Sequence, residues 1–182
     1  SKAEEALKEL ERVADEARRA SEKSNREAKK AADDAKRASE KSLREAERAA
    51  REAEKALREG PEEDARRLLK EVEEVARRAA KINKELADRV RKVAEDAARI
   101  NDKLLEEVRD AARRAKEAAR EAPKDDAKRI KDEADKIVKR AEDAARESKK
   151  RLKRLVEDAE RAAKESKEEL DRLVREAEEK AR

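Results

Sequence analysis

RASEKSNREAKKAADDAK at residues 19–36 runs without interruption into RASEKSLREAERAAREAE at residues 37–54. Eighteen residues are five turns at 3.6 residues per turn, so every position of the first block returns at the same helical angle in the second. Ser21 and Ser24 thereby come back as Ser39 and Ser42. The same period recurs twice more along the chain. AAKINKELADRVRKVAED (79–96) matches AARINDKLLEEVRDAARR (97–114), and KRAEDAARESKKRLKRLV (139–156) matches EDAERAAKESKEELDRLV (157–174). Solenoid repeats contain a turn in every unit, and these blocks contain none. A five-turn period also keeps an apolar stripe at one angle, whereas a strict heptad drifts and imposes a left-handed supercoil. The blocks therefore predict long, nearly straight helices.

The breakers set the number of helices. Glycine occurs once, at Gly60, and proline twice, at Pro61 and Pro123. Gly60 suits the left-handed residue that follows a helix end, and Pro61 suits the first turn of the next helix. Pro123 closes the second helix, and Asp125 and Asp126 favour a new N-terminus. The thirds 1–59, 61–122 and 124–182 predict helices at about 2–59, 62–121 and 124–181, each roughly 88–90 Å long. Connections this short join antiparallel neighbours, so the expected fold is all-α, one up-down-up antiparallel three-helix bundle over residues 1–182.

Placed at 100° per residue, the apolar side chains form one arc per helix. On the second it covers roughly 160°, from Ile82 and Ile100 through Val72, Val90 and Val108 to Ala80 and Ala98. On the first it is mostly small, with Ala17, Ala35 and Ala53 at its middle and Leu7, Leu10, Val13 and Leu57 near the ends. The third carries Ile137, Leu155 and Leu173 on one side and Val138, Val156 and Val174 on the other. An arc this wide suits a helix that touches two neighbours.

Stacking the thirds about the two turns brings the polar residues to common heights. Ser21, Ser24, Asn101 and Ser148 fall at one level, and Ser39, Ser42, Asn83 and Ser166 at another, to within about one turn. All eight lie close to the centre of their arcs, where core residues belong. Buried alone, such groups would each cost about 1–3 kcal/mol, whereas paired they penalise any register that separates them. Asn25 differs, because it lies at the arc's edge with Leu7 and Leu43 and reads as a boundary residue.

Composition excludes much chemistry. Charged residues make up 57% of the chain and aromatics 0%, yet the net charge is only +4. Met, Cys, His, Phe, Tyr, Trp, Thr and Gln are all absent. Without Cys and His there is no thiol or imidazole catalysis and no zinc site of the usual kind. Carboxylate pairs such as Asp33–Asp34 and Glu168–Glu169 lie on exposed faces rather than in a cleft that would shift their pKa. The run KKRLKR (149–154) is flanked by Glu147, Glu157 and Asp158, and no aromatic stands by to stack on a base. The excess of Lys and Arg over Asp and Glu is one in each of the first two thirds and two in the last, as on an evenly solvated face. Neither a cofactor, nor a metal, nor nucleic-acid or membrane binding is expected. No apolar run reaches the roughly 20 residues of a membrane span. No targeting signal is visible, and a first residue Ser1 in place of Met fits a chain trimmed after expression.

The restricted alphabet, the five-turn repeats and the two polar levels together resemble the de novo designed parametric helical bundles that bury hydrogen-bond networks. The resemblance covers the whole chain and implies a structural scaffold with no catalytic residues. One departure is the alanine-rich core, since such bundles carry more Leu and Ile. Two other roles fit the composition. One is a self-assembling block whose copies meet through faces containing Ala20, Ala38 and Ala56. The other is a solvated spacer or stress-type protein, rich in Ala, Glu, Lys and Arg, for which aligned polar levels would serve no purpose.

Overall fold

The computed structural model describes all 182 residues. It is all-α: α1 (Lys2–Glu59), α2 (Glu62–Ala119) and α3 (Lys124–Ala181), each of 58 residues. Strong helix formers fill the solvent faces, and no glycine or proline interrupts an element.

The ends show how the breakers act. Ser1 caps α1, its Oγ accepting the Glu4 N–H at 3.3 Å and its carbonyl the Glu5 N–H at 3.1 Å. Gly60 does not adopt the left-handed conformation expected of it, for no residue has a positive φ. Its N–H instead continues the helical pattern onto the Ala56 carbonyl at 2.9 Å, and a Cβ there would lie 3.2 Å from that oxygen. Pro61 is sufficient to stop α1, because a proline disfavours helical geometry in the residue before it. Both prolines stand one residue ahead of the first helical turn rather than inside it. The Pro61 carbonyl accepts the Ala65 N–H at 3.3 Å, and the Pro123 carbonyl accepts the Ala127 N–H at 2.8 Å. α2 ends at Ala119, two residues short of the expected 121, because Arg120, Glu121 and Ala122 bond to carbonyls only three residues back.

Contacts divide the chain into two compact units. Unit one comprises Ser1–Ala28 and Val93–Arg154, and unit two comprises Lys29–Lys92 and Leu155–Arg182. Each contains a segment of all three helices. In unit one, Arg109 pairs with Glu142 at 3.0 Å and Lys116 with Asp135. Seven residues forward on α2 are therefore seven back on α3, so the two run antiparallel. Glu4–Arg129 and the Asn25–Ser148 hydrogen bond show α1 and α3 running the same way. In unit two, Arg91 lies 3.6 Å from Glu160, and Lys180 lies 3.1 Å from Glu54.

The core of unit one gathers Leu7, Leu10, Val108, Ile130 and Ile137 around alanines of all three helices. Unit two has two smaller clusters, Ala46, Ala76, Ala79 and Leu170, and then Ala53, Val72 and Ala177. The large side chains with no more than 1% exposure are Leu10, Val108 and Ile130 in one unit and Val72, Val90 and Leu170 in the other. Alanine buries little apolar area, so these six carry a disproportionate share of the hydrophobic stabilisation.

Ile82 and Ile100 depart from the expected arc. They are 46% and 42% exposed, the two large apolar residues most open to solvent. Each precedes a buried asparagine, and one helical step of 100° separates its side chain from the buried one.

Ion pairing also takes its own form. The pairs within a helix are mostly three apart, with Asp ahead of Arg, as in Asp88–Arg91 at 2.9 Å and Asp158–Arg161 at 3.3 Å. Glu4 reaches across to Arg129 on α3. Arg12 grips both Glu9 and Glu16. Its hydrogen bond holds the Glu9 carboxyl below the usual carboxylate range. These groups are solvated, so such pairs add little individually.

Candidate functional site

The polar residues of the core are the features that helix formation alone does not explain. All three asparagines of the chain and six of its seven serines belong to the two levels. Each level lies wholly within one compact unit.

In unit one the side chains form a connected chain of hydrogen bonds. Ser21 Oγ donates to Asn101 Oδ1 at 2.6 Å. Asn101 Nδ2 donates to Asn25 Oδ1 at 3.2 Å, and Asn25 Nδ2 donates to Ser148 Oγ at 2.9 Å. Asn101 and Ser148 are buried, while Ser21 and Asn25 are half-buried. All three helices are joined by side chains at this height. Asn25, expected at the boundary, is the link between α2 and α3. Its position at the arc's edge is what lets a long amide reach across the gap between them. Ser24, though buried, stands outside the chain and donates to the Ser21 carbonyl of its own helix at 3.3 Å.

Unit two holds a sparser version. Asn83 Nδ2 donates to Ser166 Oγ at 2.9 Å, joining α2 to α3. Ser42 turns back to the Ala38 carbonyl at 2.8 Å, and Ser39 does not donate to Asn83. Asn83 is 4% exposed, and its Oδ1 is the only buried side-chain polar atom in the protein without a hydrogen-bond partner. α1 therefore contributes no side-chain bond to Asn83 Oδ1.

A groove of about 730 Å³ lies in unit one, with Ser21, Asn25, Asn101 and Ser148 along it and Leu104, Val108 and Ile137 beside them. Arg18, Arg140 and Arg151 line it, together with five carboxylate residues, Glu11, Asp15, Glu22, Glu133 and Glu147. Its buried polar atoms are already paired within the protein, so none is left unmet to call for a ligand. No three Asp or Glu side chains are grouped so as to hold a metal ion, and no helix is long and apolar enough to cross a membrane.

The arrangement can fix the height of one helix against another where its bonds cross between helices, at Ser21–Asn101, Asn101–Asn25, Asn25–Ser148 and Asn83–Ser166.

No protein-family description and no curated protein matches the chain. Among solved structures, it is similar to a computationally designed three-helix bundle, at 20% identity over 98% of this chain and 93% of that one, with a TM-score of 0.53. At that identity the likeness is one of fold.

Proposed function

We propose that this three-helix chain is a designed structural scaffold without a natural biochemical activity, whose buried Ser and Asn levels specify the register of its helices. The observation that carries this reading is the continuous chain Ser21–Asn101–Asn25–Ser148, which ties all three helices at one height. An eighteen-residue repeat needs such a device. Sliding one helix by a whole repeat returns nearly every apolar residue to an equivalent partner, so apolar contacts alone resist the slip weakly. The polar positions share the eighteen-residue period except at Asn25, so a whole-repeat slip of α1 sets Leu43 in its place and removes the link. Any shorter slip that separates Asn101 from Ser21 and Asn25 leaves buried amides unpaired, at about 1–3 kcal/mol for each. On this reading the scaffold requires no cofactor, metal, nucleic acid or membrane, and its restricted alphabet follows from choosing residues for helix propensity.

Self-assembly is the second reading, favoured by the exposure of Ile82 and Ile100 on α2. Size-exclusion chromatography with light scattering separates the two. The scaffold reading expects one species at the chain mass of 20.8 kDa. It also expects dimers or domain-swapped species to appear at high concentration once Asn83→Leu and Asn101→Leu are combined. A parent that is already a stable oligomer, and that becomes monomeric on Ile82→Lys with Ile100→Lys, would establish assembly instead.

A further inference from the structure

We infer that Asn25 is the positioning residue that orients Asn101, and that Leu43, standing in its place eighteen residues later, leaves the Asn83 carbonyl unmet. This deepens the reading of the polar levels and rests on it. The two levels correspond residue by residue: Ser21 to Ser39, Ser24 to Ser42, Asn101 to Asn83 and Ser148 to Ser166. They differ at one position, where RASEKSN becomes RASEKSL.

At the first level Asn25 stands between Asn101 and Ser148, accepting from one at 3.2 Å and donating to the other at 2.9 Å. An amide is planar, with its oxygen and nitrogen on opposite sides of Cγ. With Nδ2 of Asn101 drawn toward Asn25, Oδ1 faces the other way, where Ser21 donates to it at 2.6 Å. At the second level Leu43 offers neither donor nor acceptor. Asn83 therefore reaches Ser166 itself at 2.9 Å. That turn of the amide takes Oδ1 away from Ser39, and no donor meets it. Leu43 packs instead against the cluster of Ala46, Ala76, Ala79 and Leu170. One substitution thus replaces a relayed network by an apolar contact plus a single hydrogen bond.

Overall stability mixes the leucine contact with the hydrogen bonds, so the test is a pair of double-mutant cycles read as folding equilibrium constants by denaturant titration. In the parent, Ser21→Ala should lower the constant roughly tenfold, because it strands the Asn101 carbonyl. In an Asn25→Leu background the same change should have less than about a twofold effect, since Asn101 would then turn to Ser148 as Asn83 turns to Ser166. In the second cycle Ser39→Ala should be nearly silent in the parent and cost roughly tenfold in a Leu43→Asn background. An equal effect of Ser21→Ala with and without Asn25 overturns the relay while leaving the polar level intact. No effect of Ser21→Ala even in the parent would overturn the level itself. Should Leu43→Asn fail to fold, the first cycle decides alone.

Discussion

Asn101→Asp should destabilise the protein by about 3 kcal/mol at pH 7, and the loss should disappear on acidification. Asn101 is buried, and both halves of its amide are in use, Oδ1 by Ser21 and Nδ2 by Asn25. A carboxylate there keeps the Ser21 bond, but its second oxygen faces the Oδ1 of Asn25, an acceptor opposite an acceptor. The groove beside it carries Arg18, Arg140 and Arg151, but they are outnumbered by Glu11, Asp15, Glu22, Glu133 and Glu147, so the local field does not favour another negative charge. Burial therefore raises the carboxyl pKa in the folded protein above its unfolded value of about 4. The folded form then binds the proton more tightly than the unfolded form, and stability falls as pH rises between the two values. Relative to the parent at each pH, the deficit should be full near neutrality and small below about pH 4. Thermal melts of variant and parent, compared at matched pH, check this. An unchanged melt at pH 7 would place Asn101 in water.

Leucine at the two buried α2 asparagines should act in opposite directions. Leucine and asparagine branch at the same carbon, so the exchange removes polarity with little change of shape. At residue 83 it deletes the one buried polar atom that has no partner, and Ser166 loses a donor but can bond a carbonyl of its own helix. Asn83→Leu should therefore raise stability by about 1–2 kcal/mol. Asn101→Leu breaks a network whose members all have partners, leaving Ser21 and the Oδ1 of Asn25 to find others. It should lower stability by about 1 kcal/mol. Denaturant midpoints at constant m-value would show this difference of sign, and equal shifts would mean that the two levels are equivalent.

The architecture was legible because single residues carry it. Gly60, Pro61 and Pro123 can hardly sit inside a helix, and an eighteen-residue identity has no natural reading except five turns. The heights of Asn83 and Asn101 also follow from arithmetic about the turns, since a helix is a rigid ruler. What arithmetic misses is anything smaller than a side chain. Ser24 and Ser42 share the height of the asparagines yet bond to their own helix, because a hydroxyl is short and a carbonyl three or four residues back is always within reach. Asn25 sits at the angle of Leu7, which is buried in the core of unit one, and of Leu43, which is half-buried. This edge of the arc thus lies closer to the core than its angle suggests, and the reach of the amide carries Asn25 into the network. The sign was present in the sequence, as the one polar exception between Leu7 and Leu43. Ile82 and Ile100 show the converse: angle alone places them at the end of the apolar arc, but burial depends on what a neighbouring helix offers there, and both stay largely exposed. Gly60 departs from the left-handed conformation expected of it because a following proline ends a helix without a left-handed residue.

The most direct test of the buried network is hydrogen exchange of the asparagine side-chain amides by NMR. Three asparagines and no glutamine mean three NH2 pairs in an otherwise empty region. The Asn101 and Asn83 pairs are expected at distinct, dispersed shifts, each exchanging at least about tenfold more slowly than a free amide, because their hydrogen bonds must open first. The half-buried Asn25 should be less protected. Three pairs clustered at the shift of free asparagine and exchanging at its rate would contradict a network inside these bundles.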